Sequence, residues 1–162
     1  MSKTRVAGIF YVLTIVTGIY AYVARGTFAT AAGAIGGGCY LVVTVLLYYI
    51  FKPVNRTLSL LAAAVSVMGI AGGPFGLTFF SSLVFFGVYC ALIGYLSLKS
   101  TFVPRVVGAL MMFAGLGWLT FLSPRLATAL SPYIIAPGLI GEGALTIWLL
   151  VGNAPMTGVK VQ

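Results

Sequence analysis

The chain has no histidine and no aspartate, and its single acidic residue is Glu142. Without histidine it lacks the side chain best suited to act as general base or metal ligand near neutral pH. One carboxylate cannot form the acid–base pair that hydrolases of many kinds require. The two cysteines, Cys39 and Cys90, stand far apart within apolar runs. They form no CxxC pair and no thiolate cluster. They read as reduced, buried thiols that pack as small hydrophobes. A bridge between them would need two helices to bring them to one depth. Intramembrane serines such as Ser66, Ser81 and Ser82 have no evident activating base. The glycine-rich stretches follow no strand, so they are not nucleotide loops. No metal site and no cofactor site is legible, and the chain is expected not to be an enzyme.

Charge is scarce as well. Only 6% of the residues are charged and 61% are hydrophobic, whereas a soluble domain carries about 25% charged residues. No fold of 162 residues hides so much apolar surface from water, so the solvent of this chain is lipid. Residues 1–162 read as one transmembrane domain without a linker or low-complexity tail. The net charge of +8 comes from isolated Lys and Arg residues between apolar runs. They make no basic face, so they fit topology control and not nucleic acid.

Charges and prolines divide the sequence into spans. A hydrocarbon core about 30 Å thick takes about 20 helical residues, and helices are required because backbone groups in lipid must bond within their own segment. Val6–Ala24, between Arg5 and Arg25, is longer than the apolar part of a signal peptide, about 7–15 residues, and reads as an uncleaved first span. Phe28–Phe51 makes the second. No charge occurs between Thr57 and Leu98. One helix of that length would run roughly 60 Å, so the chain must fold back, and Gly72-Gly73-Pro74-Phe75-Gly76 is the expected turn. Spans three and four are therefore placed at Leu58–Gly72 and Leu77–Leu98. Span five is expected at Val103–Leu122, with Pro104 in its first turn. Span six is expected at Tyr133–Gly152, with Ser131 as N-cap, Pro132 as first helical residue, and Pro137 bending the helix or loosening its start. The sequence thus predicts an all-α integral membrane bundle of about six helices with short loops.

With six spans, Lys3, Arg5, Lys52, Arg56, Lys99, Arg105 and Lys160 share one side of the membrane, and Arg25 and Arg125 share the other. The excess assigns the first side, with both termini, to the cytoplasm. Small residues recur at helical spacing: Gly33 and Gly37, Gly69 and Gly73, Gly87 with Ala91 and Gly94, Gly108 with Gly115. In lipid such faces drive close helix approach, either within the bundle, the reading favoured here, or against a second copy.

Several phrases also carry a family resemblance: Val6-Ala-Gly-Ile-Phe-Tyr11, Pro53-Val-Asn-Arg-Thr-Leu-Ser-Leu60, Gly94-Tyr-Leu-Ser-Leu-Lys-Ser100, Val103-Pro-Arg-Val-Val-Gly108 and Gly141-Glu-Gly-Ala-Leu-Thr-Ile-Trp-Leu-Leu150. In this order they resemble the bacterial membrane family filed as domain of unknown function 4386. The chain departs from it in being shorter than typical members, with the outer connection between spans three and four reduced to a glycine-proline turn. The resemblance implies a multi-pass protein of the bacterial cell membrane and implies no activity.

The side chain most apt to carry function is Glu142. It lies about 15 Å into the last span by helical rise, where a charged acid costs about 2.5–3.5 kcal/mol on insertion scales. Such a residue faces the bundle interior, and Gly138, Gly141 and Gly143 clear space around it. It serves either as a ligand-binding group, for a proton, cation or cationic substrate, or as a structural polar contact to Tyr40, Ser66 or Tyr89. Arg56 and Arg105, at cytoplasmic helix starts, are candidate contacts for anionic lipid headgroups. Membrane lipids are the expected partners, together with a membrane protein or a second copy of the chain; nucleic acid is not expected. The sequence favours an accessory or scaffolding role acting through helix or lipid contacts. The alternative is a small transporter, channel or ligand sensor that uses Glu142.

Overall fold

The computed structural model describes residues 2–75 and 82–152. Its helices are α1 (Lys3–Val23), α2 (Thr27–Phe51), α3 (Arg56–Phe75), α4 (Ser82–Lys99), α5 (Arg105–Leu119), α6 (Pro124–Leu130) and α7 (Ala136–Val151). A 3-10 turn at Thr120–Leu122 prolongs α5, and another at Tyr133–Ile135 leads into α7. Among the described residues there is no strand. Five segments are long and apolar enough to cross a membrane: α1, α2, α4, Arg105–Leu122 and Tyr133–Val151. The apolar stretch Arg56–Gly72 in α3 is shorter. The protein is a membrane-embedded all-α bundle.

Local chemistry sets the helix starts. The Ser2 hydroxyl accepts from the Arg5 N–H at 3.3 Å, and Asn55 Oδ1 accepts from the Leu58 N–H at 2.9 Å. Each meets one of the donors that a helix N-terminus leaves unpaired. Ser123 Oγ does the same for Leu126 at 3.4 Å, with Pro124 beginning α6.

Three expectations need correction. The first is that α3 would break at Gly72. It continues through Gly73 and Pro74 to Phe75, because glycine permits a turn without imposing one and apolar surroundings favour continued backbone pairing. The remainder of the expected turn, and the connection to α4, fall at 76–81, outside the described residues. The second is that Ser131 and Pro132 would open the last helix. The Ser131–Pro132 peptide is cis and is followed by the 3-10 turn. The third concerns Pro137, where the loosened start is found, as the 3-10 turn Tyr133–Ile135, and the bend is not. This proline stands in the first turn of α7, where no intrahelical N–H bond is lost and no bend is forced.

The helices form a closed ring. Each packs on the next in the order α1, α2, α3, α4, α5, α7, and α7 returns to α1. Near the end that carries most of the lysines, Ala7, Leu47, Phe51, Leu96, Met111, Leu145 and Leu149 fill the interior. Lys3 Nζ lies 5.6 Å from the Tyr49 ring centre, Lys52 Nζ 5.9 Å from that of Tyr48, and Lys99 Nζ 5.7 Å from that of Tyr95. The first joins the start of α1 to the end of α2; the other two lie within the last turns of α2 and α4. Two polar contacts tie α2 to α3: Thr44 to Ser66 at 2.7 Å, and Ser59 Oγ donating to the Tyr48 carbonyl at 3.0 Å.

The glycines of α4 and α5 face each other. A Cβ at Gly94 would lie 2.8 Å from the Gly108 carbonyl oxygen, and one at Gly87 would lie 3.0 Å from that of Gly115. These four positions are occupied by packing inside the chain.

Candidate functional site

Glu142 owes its position to the glycines of α7. Gly138 lies one turn before it on the same helix face, and a Cβ there would overlap the indole of Trp118. A Cβ at Gly141 would overlap the Leu110 carbonyl and Ala114. Both absences let α5 lie close against α7. Trp118 Nε1 then donates to Glu142 Oε1 at 2.9 Å. From α4, the Cys90 thiol donates to the same oxygen at 3.8 Å. From α1, Tyr11 lies near enough to interact with the carboxyl. Four helices of the ring thus meet at one acid.

Tyr40 of α2 completes the cluster. Its ring stands edge-to-face to Tyr11 at 5.6 Å, to Tyr89 at 5.7 Å and to Phe86 at 5.0 Å between centroids. The hydroxyls of Tyr11, Tyr40 and Tyr89 are buried, and none has a partner of hydrogen-bonding geometry. Leaving a buried hydroxyl unpaired costs about 1–3 kcal/mol, and native proteins keep few of them. Tyr11 lies within reach of Glu142 and of Tyr40, and Tyr89 within reach of Thr44, so the three hydroxyls belong to one polar cluster around the acid.

A cavity of about 680 Å³ adjoins this cluster. Glu142, Tyr40, Trp118 and Phe86 line it beside the acid. Elsewhere its wall includes Gly18 of α1, Gly33 and Gly37 of α2, and Gly69 of α3. A Cβ at Gly18 would meet nothing within 4 Å. Tyr22, Val23, Ala127 and Ser131 extend the lining toward the end that carries Arg25 and Arg125. The acid is half-buried and lines this cavity.

The other predicted site residues lie elsewhere. Arg56 and Arg105 are exposed at the starts of α3 and α5, at the lysine end, and neither joins Glu142. Ser66 pairs with Thr44. Tyr40 and Tyr89 belong to the cluster through their rings. Cys39 and Cys90 are both free thiols, the first half-buried and the second buried. Among the described residues no group of three or more His, Cys, Asp or Glu comes together. Trp118, Tyr11 and Cys90 were missed as partners of the acid. Trp118 reads in sequence as an interfacial aromatic, and the only hint of its inward turn is the glycine one turn before Glu142.

Residues 74–152 match the family model described as Domain of unknown function (DUF4386). That match covers just under half of the chain. The DUF4386 segment contains Cys90, Trp118 and Glu142, whereas Tyr11 and Tyr40 precede it. An "Uncharacterized protein" of Archaeoglobus fulgidus is 28% identical over 131 residues, covering 72% of this chain and 78% of the relative. That relative is archaeal, so the likeness is not confined to bacteria. No solved structure matches.

Proposed function

We propose that the chain binds a small amphipathic molecule inside the membrane, with the molecule's polar end at Glu142 and its apolar part in the adjoining cavity. This is the transporter, channel or sensor reading of the sequence, narrowed to its common step. One observation carries it: Glu142, the chain's single acid, lines a cavity of about 680 Å³ together with the aromatic side chains of Tyr40, Phe86 and Trp118. The glycine faces of α4 and α5 pack against each other, as the favoured reading expected, so these faces are not free for a second protein. The volume suits a small organic ligand, for which pockets of roughly 300–1,000 Å³ are usual. The reading is of binding without catalysis, in keeping with a chain that has one carboxylate and no histidine.

The same proposal sets the protein in a prokaryotic cell membrane, bacterial by the resemblance, with both termini and the Lys3, Lys52 and Lys99 end in the cytoplasm. The distribution of Lys and Arg supports that orientation. Arg56 and Arg105 then meet anionic headgroups of the inner leaflet.

Native mass spectrometry of protein extracted gently from its own membrane tests the function. The wild type is expected to retain a small-molecule adduct that Glu142→Gln and Tyr40→Phe both lose. A wild type without any adduct, carrying instead a reproducible protein partner, would overturn the reading in favour of the accessory role.

A further inference from the structure

We infer that the molecule held beside Glu142 is a lipophilic monocation, an alkylammonium compound whose charged head meets the carboxylate while its tail fills the cavity. The inference rests on the binding reading above and adds the chemical class.

Four features of the site select a cation. Glu142 is the chain's sole acid, and its polar neighbours Trp118, Cys90 and Tyr11 bring no positive charge. Trp118 and Cys90 both direct donors at Oε1, so the carboxyl is oriented as an acceptor and the rest of its acceptor capacity is left for Tyr11 or a guest. An ammonium head supplies up to three N–H donors and no acceptor. Among the described residues, no lysine or arginine lines the cavity to compensate the acid. Finally, the rings of Tyr40, Phe86 and Trp118 line the cavity beside the acid, and aromatic rings attract a desolvated cation through their quadrupole. An anion would face the carboxylate. A neutral alcohol could use the hydroxyls but would leave the acid without its complement.

The tail is specified less closely. Ile15, Ile19, Ile70, Leu83 and Leu139 line the rest of the space, which calls for an apolar chain or ring system.

Trp118 makes the test direct. The chain has two tryptophans, so a Trp148→Phe background leaves Trp118, in contact with the acid, as the only indole reporter. In nanodiscs, octylammonium, octanol and octanoate are titrated while Trp118 emission is followed. Octylammonium is expected to saturate at least about tenfold below octanol, and octanoate is expected to give no saturable change. Glu142→Gln should abolish the preference for the amine. Tyr40→Leu, which keeps the acid and removes a ring and a hydroxyl, should weaken octylammonium more than octanol. Equal binding of octanol and octylammonium, both reduced by Tyr40→Leu, would overturn the cation assignment and leave the binding reading standing. Octanoate saturating most tightly would overturn the assignment in the same way. No saturable response to any of the three would overturn both.

Discussion

At the residue scale, Trp118 and Tyr40 give opposite forecasts although both carry a buried polar group beside the same acid. Trp118→Phe removes the 2.9 Å donor to Glu142 and leaves a carboxyl oxygen short of its partner, at a cost of about 1–3 kcal/mol. Tyr40→Phe removes a hydroxyl that has no partner, so it should leave stability unchanged or raise it slightly. Thermal unfolding of ligand-stripped protein in detergent measures both. If Tyr40→Phe loses as much as Trp118→Phe, the hydroxyl has a structural use and the case for a ligand collapses. The acid itself was legible from sequence, since a lone carboxylate in an apolar span can hardly face lipid. Its partners were not. Trp118 and Cys90 stand 24 and 52 positions away, and hydropathy locates a helix without fixing its rotation about its own axis.

Among the elements, α4 and α5 are held by glycine against glycine, where even one added carbon meets backbone. Gly94→Ala would set a Cβ 2.7 Å from the Met112 nitrogen, so the helices must part, at a cost of about 1–3 kcal/mol. Gly143→Ala meets nothing within 4 Å and should stay within about 0.5 kcal/mol of the parent. Unfolding of the two variants in detergent compares them directly, and equal stability would show that the α4–α5 seam yields easily. The spacing Gly87, Ala91, Gly94 announced a close-packed face, but a face does not state its partner, so packing within the chain and packing between copies stayed open until α5 was seen against it. The seven-residue α6 escaped notice for a different reason. Two turns give no readable period, and the prolines around it suggested only a loop. The start of α7 was misjudged because Ser131-Pro132 has the composition of a helix start, while Pro137 suits the same role five residues later.

For the molecule as a whole, charge is distributed by end. Thr101 and Thr128 are both exposed, near the start of α5 and on α6 respectively. In the proposed orientation, Thr128→Cys reacts with an impermeant maleimide on intact cells, while Thr101→Cys reacts only after the membrane is opened. The reverse pattern would invert the topology and place the cavity's Tyr22 end toward the cytoplasm. Membrane character and the alternation of the ends were readable because lipid demands them of any chain with this composition. The closed ring was not, since nothing in a list of spans says that the last helix returns to the first.

That return has a consequence for how the protein is made. Chains enter the membrane from the N-terminus onward, so α1, α4 and α5 are synthesised before α7. Tyr11, Cys90 and Trp118 therefore precede Glu142 into the bilayer. An acid arriving first would wait in hydrocarbon for its donors; here the open crescent of earlier helices is already present to receive it. The seam between α7 and α1 can close only once α7 is made, and its closing brings Tyr11 to Glu142.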